Sequence, residues 1–481
     1  MKRMTGGDEN PPPFARVARH GNGWVFDGQR DWRASDGTRW QWTGGALRVT
    51  TPRFGFCPLY FHQTRDALAL SPSLLRLAPL GVPMEPDHDA LAVFIRLGFF
   101  IGAQTPFKGI RQAAPGRSVE WPGSPLQDAF DIAHPASSTM SRSAAVDRYG
   151  EAFRAAMRRL LPEGEIVLPL SGGRDSRHIL FEIVEAGRKP LAVTMRRWAP
   201  DIDDDLSIAR TLAARFKLKH AVLGATPAKA RAQCRASALT GFSSDELGWM
   251  LPIRAFLDRH EGVVFDGIAG DILSNGLYLH PGLLAAMQAG DTAEAAELLL
   301  GLEDLWQGVL DGAFYKSLSR ERAAAALRAE LGKHLGAPNP VSSYLFWNRT
   351  RREMSLFGFT ILGNVRMPYI DGDVYDLLTT LPPSYFAGQT FHTETIHRMF
   401  PQHADIPFDA KGTSRIGRWR FRVENLGAVA HLLRSRSKWF KAARPLLGLR
   451  TKPADIGRVL CLLQLERFLR QEPGSHGGGA R

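Results

Sequence analysis

The stretch Leu168-Pro-Leu-Ser171-Gly172-Gly173-Arg174-Asp175-Ser176-Arg177-His178-Ile-Leu180 decides the fold. Glu165 to Leu170, which leads into it, is short, apolar and β-leaning. Ser176 to Ala186, which follows, carries apolar residues at helical spacing (Ile179, Leu180, Ile183, Val184) and reaches a stop at Gly187. The reading is strand, glycine turn, helix. Such a turn aims backbone N–H groups and a helix N-terminus at one point, which suits an anion. Gly172 and Gly173 let the backbone approach it, because no Cβ intervenes. Ser171 and Ser176 can donate hydroxyl hydrogen bonds to phosphate oxygens. Asp175 cannot bind phosphate directly but can hold a divalent cation that does. The same letters also describe an ordinary strand-to-helix turn rich in small residues.

Working outward, strand-like and helix-like segments alternate. Pro190 to Arg196 reads as a second strand, Asp204 to Phe216 as a helix, Ala221 to Leu223 as a third strand and Val263 to Phe265 as a fourth. That alternation predicts an α/β fold with a doubly wound parallel sheet. Residues 281–359 are helix-rich and predict a helical cover. Before Trp121 the chain has short β-type segments with turn signals, such as Ala46–Thr50 and Ala67–Ser71, and a helix near Asp87–Leu97. Residues 134–144 are polar and read as a linker. The expected organisation is a first domain over 1–133, the linker, a nucleotide domain over 145–435, and a basic extension with a flexible tail over 436–481. Residues 1–13 read as a disordered arm.

Composition sets bounds. The 481 residues are 44% hydrophobic and 23% charged, ordinary for a globular chain of two or three domains. There is no apolar run of membrane-spanning length and no secretory signal behind Met1. Cys57, Cys234 and Cys461 have no metal or disulfide spacing, so each reads as a small buried hydrophobe in a reducing, cytoplasmic setting. The formal charge is +13, and twelve Lys/Arg against Glu424 alone fall between Lys411 and Lys452. That run reads as a solvated basic helix or a contact for a peptide or partner; nucleic acid is not the expected ligand.

The loop lacks the Gly-Lys-Ser/Thr ending of a Walker motif. Ser-Gly-Gly-x-Asp-Ser after a strand instead resembles the pyrophosphate loop of the ATP pyrophosphatases. Further segments resemble the asparagine synthetase family in order: Asp204-Asp205-x-x-x-Ala209; Gly267-Ile-Ala-Gly270-Asp271-Ile-Leu; Arg366-Met-Pro368-Tyr369-Ile-Asp371; Leu381-Pro-Pro383; and Lys411-Gly412. The resemblance implies ATP and Mg²⁺ as cofactors. It implies Ser171, Gly172, Gly173, Asp175 and Ser176 around the pyrophosphate, with Gly267 and Gly270 lining the same site. It implies adenine on the backbone around Val193, Thr194 and Met195, and Asp175 with Asp271 as metal ligands. Lys411 is the residue implied for charge stabilisation in the transition state; as bare sequence it is one more lysine at the edge of the basic run. Asp204 and Asp205 are equally simple helix-dipole partners.

Phe54-Gly-Phe-Cys-Pro58-Leu59-Tyr60 and Thr105-Pro-Phe107-Lys-Gly109-Ile110 resemble the family's Ntn-type glutaminase domain. The nucleophilic cysteine that this domain exposes after Met removal is Lys2 here, so the domain reads as a reduced, non-catalytic remnant. A Glu common in the family is Asn364, and the Tyr that pairs with it in the β-lactam-forming branch is Ile268. These departures count against β-lactam synthesis. With its reduced first domain the chain resembles the lasso-peptide cyclase branch, which adenylates an Asp or Glu side chain of a precursor peptide and closes a macrolactam on the peptide's own amine. The implied substrate is a precursor peptide, and a maturation protease is the companion such a branch allows. The alternatives are an ammonia-using asparagine synthetase and a catalytically inactive basic binding protein. His178 reads as a helix-surface histidine or a phosphate contact, Asp245-Glu246 as a capping pair, Arg351 and Arg352 as anion ligands or water-facing residues, and Trp249 and Trp347 as core.

Overall fold

Alternating segments before Trp121 form antiparallel sheet, and buried apolar runs after Glu165 form parallel sheet. The computed structural model describes residues 11–196, 204–224, 229–301, 303–354, 358, 364–409, 415–448 and 451–471. The chain divides into two units, Met1–Asp87 with Ala103–Phe130, and His88–Gly102 with Asp131–Arg481.

The first unit holds β1 (Ala15–His20), β2 (Gly23–Gly28), β3 (Asp31–Arg33), β4 (Arg39–Thr43), β5 (Ala46–Thr50), β6 (Tyr60–Gln63), β7 (Ala67–Ser71), β8 (Ile110–Gln112) and β9 (Ser118–Trp121). One sheet runs β2-β1-β7-β6-β8 and the other β3-β4-β5-β9. Inward positions alternate along the strands: Ala15 and Val17 of β1, Leu47 and Val49 of β5. They meet Trp40, Leu68 and Trp121 in one core. Cys57 is buried in this unit.

The second unit begins with α1 (His88–Leu97), whose Arg96 is buried. Arg96 grips Glu303 through Nε and Nη2 at 2.7 and 2.8 Å. α2 (Arg142–Leu160) is capped by Ser141, which accepts from the Ala144 N–H. Then come β10 (Ile166–Pro169), α3 (Arg174–Glu185), β11 (Leu191–Met195), α4 (Asp204–Arg215), β12 (His220–Leu223), α5 (Lys229–Leu239), β13 (Val263–Phe265) and β14 (Val365–Arg366). Short helices from Pro281 to Leu345 and a π-helical stretch, Phe346–Met354, supply the expected helix-rich part.

The five strands are parallel and ordered β12-β11-β10-β13-β14. Val167 pairs with Leu191 on one side and Val264 on the other. The chain therefore runs outward from β10 to β12, then restarts on the opposite side with β13. Such a reversal opens a crevice at the carboxyl ends of the two central strands, where ligands of open α/β sheets bind. The two stretches that follow β10 and β13 are Ser171–Asp175 and Asp266–Asp271. Four of the five strands lie within a residue or two of the bounds their apolar pattern predicts; β14, two residues long, is too short to announce itself by pattern.

Under the crevice, Phe153 of α2 stacks on His178 with ring centroids 4.0 Å apart and lies 4.7 Å from Tyr369. All three are fully buried. Phe153→Ala is expected to cost about 3–5 kcal/mol, read as an earlier urea midpoint for the second unit.

Candidate active site

The loop after β10 is drawn tight by its own serines. The Ser171 N–H donates to Ser176 Oγ (3.1 Å), the two hydroxyls lie 3.0 Å apart, and the Gly173 N–H donates to Ser171 Oγ (3.1 Å). The Gly172 N–H donates to Asp205 Oδ1 at 2.8 Å. An anionic oxygen thus sits on the loop's backbone, as its geometry predicts. Asp205 is therefore more than a helix-dipole partner. Arg177, buried in α3, braces the loop by donating to the carbonyls of Gly172 (3.2 Å), Ile406 (2.7 Å) and Pro407 (2.6 Å). Burial, then the Arg174 charge, lowers its pKa to about 10. The Asp409 N–H donates to the Gly172 carbonyl (3.0 Å), so segment 406–409 is tied to the loop.

Asp175, in the first turn of α3, faces the turn after β13. A Cβ on Gly267 would fall 2.7 Å from Asp175 Cβ, and one on Gly270 would fall 2.6 Å from Asp175 Oδ1. Only glycine permits this approach. Between them Ala269 takes a left-handed backbone, φ 72°, a strained choice for a residue with a Cβ. Asp271 opens the next helix, Gly270–Leu273. Asp266, at the end of β13, accepts from the Ile268 N–H (3.0 Å). Burial pushes its carboxyl up to about 6; that hydrogen bond opposes the shift, and the charges of Asp175 and Asp271 add to it. Three carboxylates therefore share the crevice. Asp175 Oδ1 is buried without a hydrogen-bond partner. The carboxylates of Asp175, Asp266 and Asp271 make an oxygen-only donor set, which fits Mg²⁺. Asp266 was not singled out in the sequence, where it reads only as a strand end.

Behind Asp175 lies a buried polar chain. His392 Nδ1 is 3.3 Å from Asp175 Oδ1 and 3.0 Å from Ser274 Oγ. Its Nε2 lies 3.1 Å from His178 Nδ1 and 3.4 Å from the Tyr369 hydroxyl, which donates to the Asp175 carbonyl (3.0 Å). His178 is thus neither a surface histidine nor a phosphate contact. The helical pattern put it outward, but α2 and the Phe391–Met399 helix cover that face. Burial first, then the His392 charge, lowers its pKa well below the ordinary value. His392 had no motif to reveal it.

The profile of the asparagine synthase family matches residues 148–391, just over half of the chain. The chain belongs to the asparagine synthase family. No curated protein sequence matches it significantly. The family supports an ATP-dependent, amide-forming carbon–nitrogen ligase, and every loop described above except 406–409 lies within the matched residues.

The remaining expected residues of this asparagine synthase domain fall as follows. Val193 and Thr194 are buried in β11 beside β10, with Met195 half-buried at the strand's end. The Thr194 hydroxyl donates to the Leu170 carbonyl (2.7 Å) and lies 2.8 Å from His220 Nε2, so backbone at this strand end is what remains for a ligand. Lys411 lies outside the described residues. Asp371 is a helix cap, accepting from the Asp373 N–H (3.1 Å) and pairing with Arg159 (2.6 Å). Ile268 packs on the sheet core, and the Asn364 carbonyl accepts from the Val264 N–H (2.9 Å). Arg351 and Arg352 are buried, which excludes the water-facing alternative. Asp245-Glu246 caps nothing: the 3-10 turn after it receives no side-chain bond, and Asp245 is buried against Arg458 (2.8 Å). Arg174 borders a cavity of about 300 Å³ with Gly276, Leu279 and Phe386. Among the described residues no helix is long and apolar enough to cross a membrane.

Gly270→Ala is expected to leave the fold intact and cut ATP-dependent turnover about a hundredfold, because Asp175 must move by about an ångström. Melting curves and pyrophosphate release check the two halves. The depressed His178 pKa has its own sign. Below about pH 6.5 the unfolded histidine takes a proton that the folded one refuses, so stability falls with pH. His178→Asn is expected to lose less stability than the parent between about pH 7 and pH 5.5, measured by urea titration.

Proposed function

We propose that the chain activates a peptide side-chain carboxylate with Mg–ATP and closes it into a macrolactam on the same peptide's amine, as lasso-type peptides require. The observation that carries this reading is the contact of Asp175 with the Gly267–Gly270 turn. It gathers Asp175, Asp266 and Asp271 at the switch point, beside a loop that already takes an anionic oxygen on Gly172.

In this reading Asp175 and Asp271 hold Mg²⁺, which when bound offsets the charge on the phosphate oxygens. The Ser171–Ser176 loop receives the departing pyrophosphate on its hydroxyls and N–H groups. A substrate carboxylate oxygen bonds to the α phosphorus as the bond to pyrophosphate breaks. The amine nitrogen then bonds to the carboxyl carbon, AMP leaves, and the amine proton passes to solvent. Lys411 is assigned the charge that develops on the phosphates. The backbone at Val193–Met195 is assigned the adenine.

Two features favour an internal amine over ammonia released from glutamine. Burial, and then the Asp36 charge, pushes the Cys57 thiol well above its ordinary pKa, so it offers no thiolate. Ile268 and Asn364 offer no Tyr–Glu base pair. An amine held on the same peptide needs less help, since proximity supplies much of the rate.

The test supplies the full chain with Mg–ATP and a short peptide that carries a free amino terminus and a ring-forming Asp or Glu. The expected result is AMP, pyrophosphate and a peptide lighter by one water. Changing the ring-forming Asp or Glu to its amide should abolish all three. Turnover with aspartate and ammonium, but not with the peptide, would sink the cyclase reading.

A further inference from the structure

A second cavity, of about 210 Å³, lies within the second unit. Asp245, Glu246 and Lys229 line it, with Gln233 and Asn425. Trp249 and Leu460 form an apolar part of its wall. Two of these side chains have hydrogen-bonding capacity left over. Gln233 is 5% exposed; its Oε1 accepts from the Gly248 N–H (3.0 Å), while its Nε2 has no partner. Asn425 is 2% exposed, and its Oδ1 has no partner among the described residues. A buried donor and a buried acceptor left unspent in one cavity call for a ligand that brings both an acceptor and a donor.

The acidic side tells which donor. Carboxylate oxygens of Asp245, Glu246 and Glu353 lie within 4.8 Å of one another. Arg458 Nε donates to Asp245 Oδ2 (2.8 Å), and Arg349 Nη2 to Glu246 Oε1 (3.1 Å). Burial nevertheless pushes Asp245 up to about 7. It pushes Glu353 well above the usual carboxylate range, and the charges of Asp245 and Glu246 add to that. A cation brought into the cavity would hold these carboxyls in their ionised form. Asp245 and Glu246 each already accept from a guanidinium, so a compact cation with its own hydrogen-bond donors suits the oxygens that remain.

We propose that this cavity binds the ammonium end of an amino acid or of a peptide. The ammonium donates to Asp245, Glu246 and Asn425 Oδ1. The neighbouring carbonyl or carboxylate oxygen accepts from Gln233 Nε2 on the side of Lys229. A small apolar side chain lies on Trp249 and Leu460. Desolvation lowers the Arg349 pKa, but the charges of Glu353, Tyr278, Glu246 and Asp271 together hold it above its ordinary value. The role assigned to the ligand, the amine partner of the activated carboxylate, rests on the amide-forming reading; the binding does not.

Calorimetry on the full chain without nucleotide tests it, with L-leucine, leucylglycine amide and N-acetyl-leucylglycine amide as probes. Leucylglycine amide is expected to bind, and its acetylated form to bind at least about tenfold more weakly, the size of one lost hydrogen bond to a charged group. Glu246→Gln and Asn425→Leu are each expected to weaken it about tenfold. Binding of leucine as well assigns free amino acids; binding of the dipeptide alone assigns a peptide amino terminus. Absence of binding, equal binding of the acetylated probe, or folded variants that bind like the parent overturns the proposal. Pyrophosphate release separates the two claims. Amine binding without it keeps the cavity and sinks the ligase; release without amine binding does the reverse.

Discussion

The second unit depends on one close approach, that of Asp175 to the turn after β13. The doubly wound order puts the ends of β10 and β13 side by side, and the crevice between them can close only if the second turn carries no side chain where Asp175 lies. Gly267 and Gly270 meet that condition. The cost appears as an αL backbone at Ala269 and a carboxyl at Asp266 pushed up to about 6. Backbone strain and a raised carboxyl pKa at one place are features that cluster at ligand sites.

Around that approach the structure is braced from two sides. Arg177 ties α3 to the carbonyls of Gly172, Ile406 and Pro407, which fixes the loop. His392, Ser274 and Tyr369 support Asp175 from below, and Phe153 and His178 fill the space beneath them. Packing and polar support converge on one side chain, so the carboxylate is positioned before any ligand arrives.

Much of this was legible in the sequence because it is local. Strand, glycine turn and helix over 165–186 follow from apolar spacing and Gly172-Gly173, and the motif at Gly267–Asp271 marks its partner. What stayed hidden is nonlocal. His178 has helical-surface spacing, yet two other helices cover it, and no local pattern reports that. His392 lies more than two hundred residues from Asp175 and becomes its neighbour only by folding. Asp245-Glu246 looks like a helix start until Arg458, from the last helix, closes over it. The helix Arg415–Arg434 was expected from composition, but the cavity at its Asn425 was not.

In the function proposed above, Asp175 and Asp271 form the two sides of one metal–nucleotide site. Calorimetric titration of the full chain and of its Asp175→Asn and Asp271→Asn variants with ATP, with and without Mg²⁺, tests it most directly. Mg²⁺ is expected to tighten ATP binding to the parent, and either substitution is expected to abolish this gain while each variant still melts cooperatively. Equal enhancement by Mg²⁺ in the parent and both variants would contradict it.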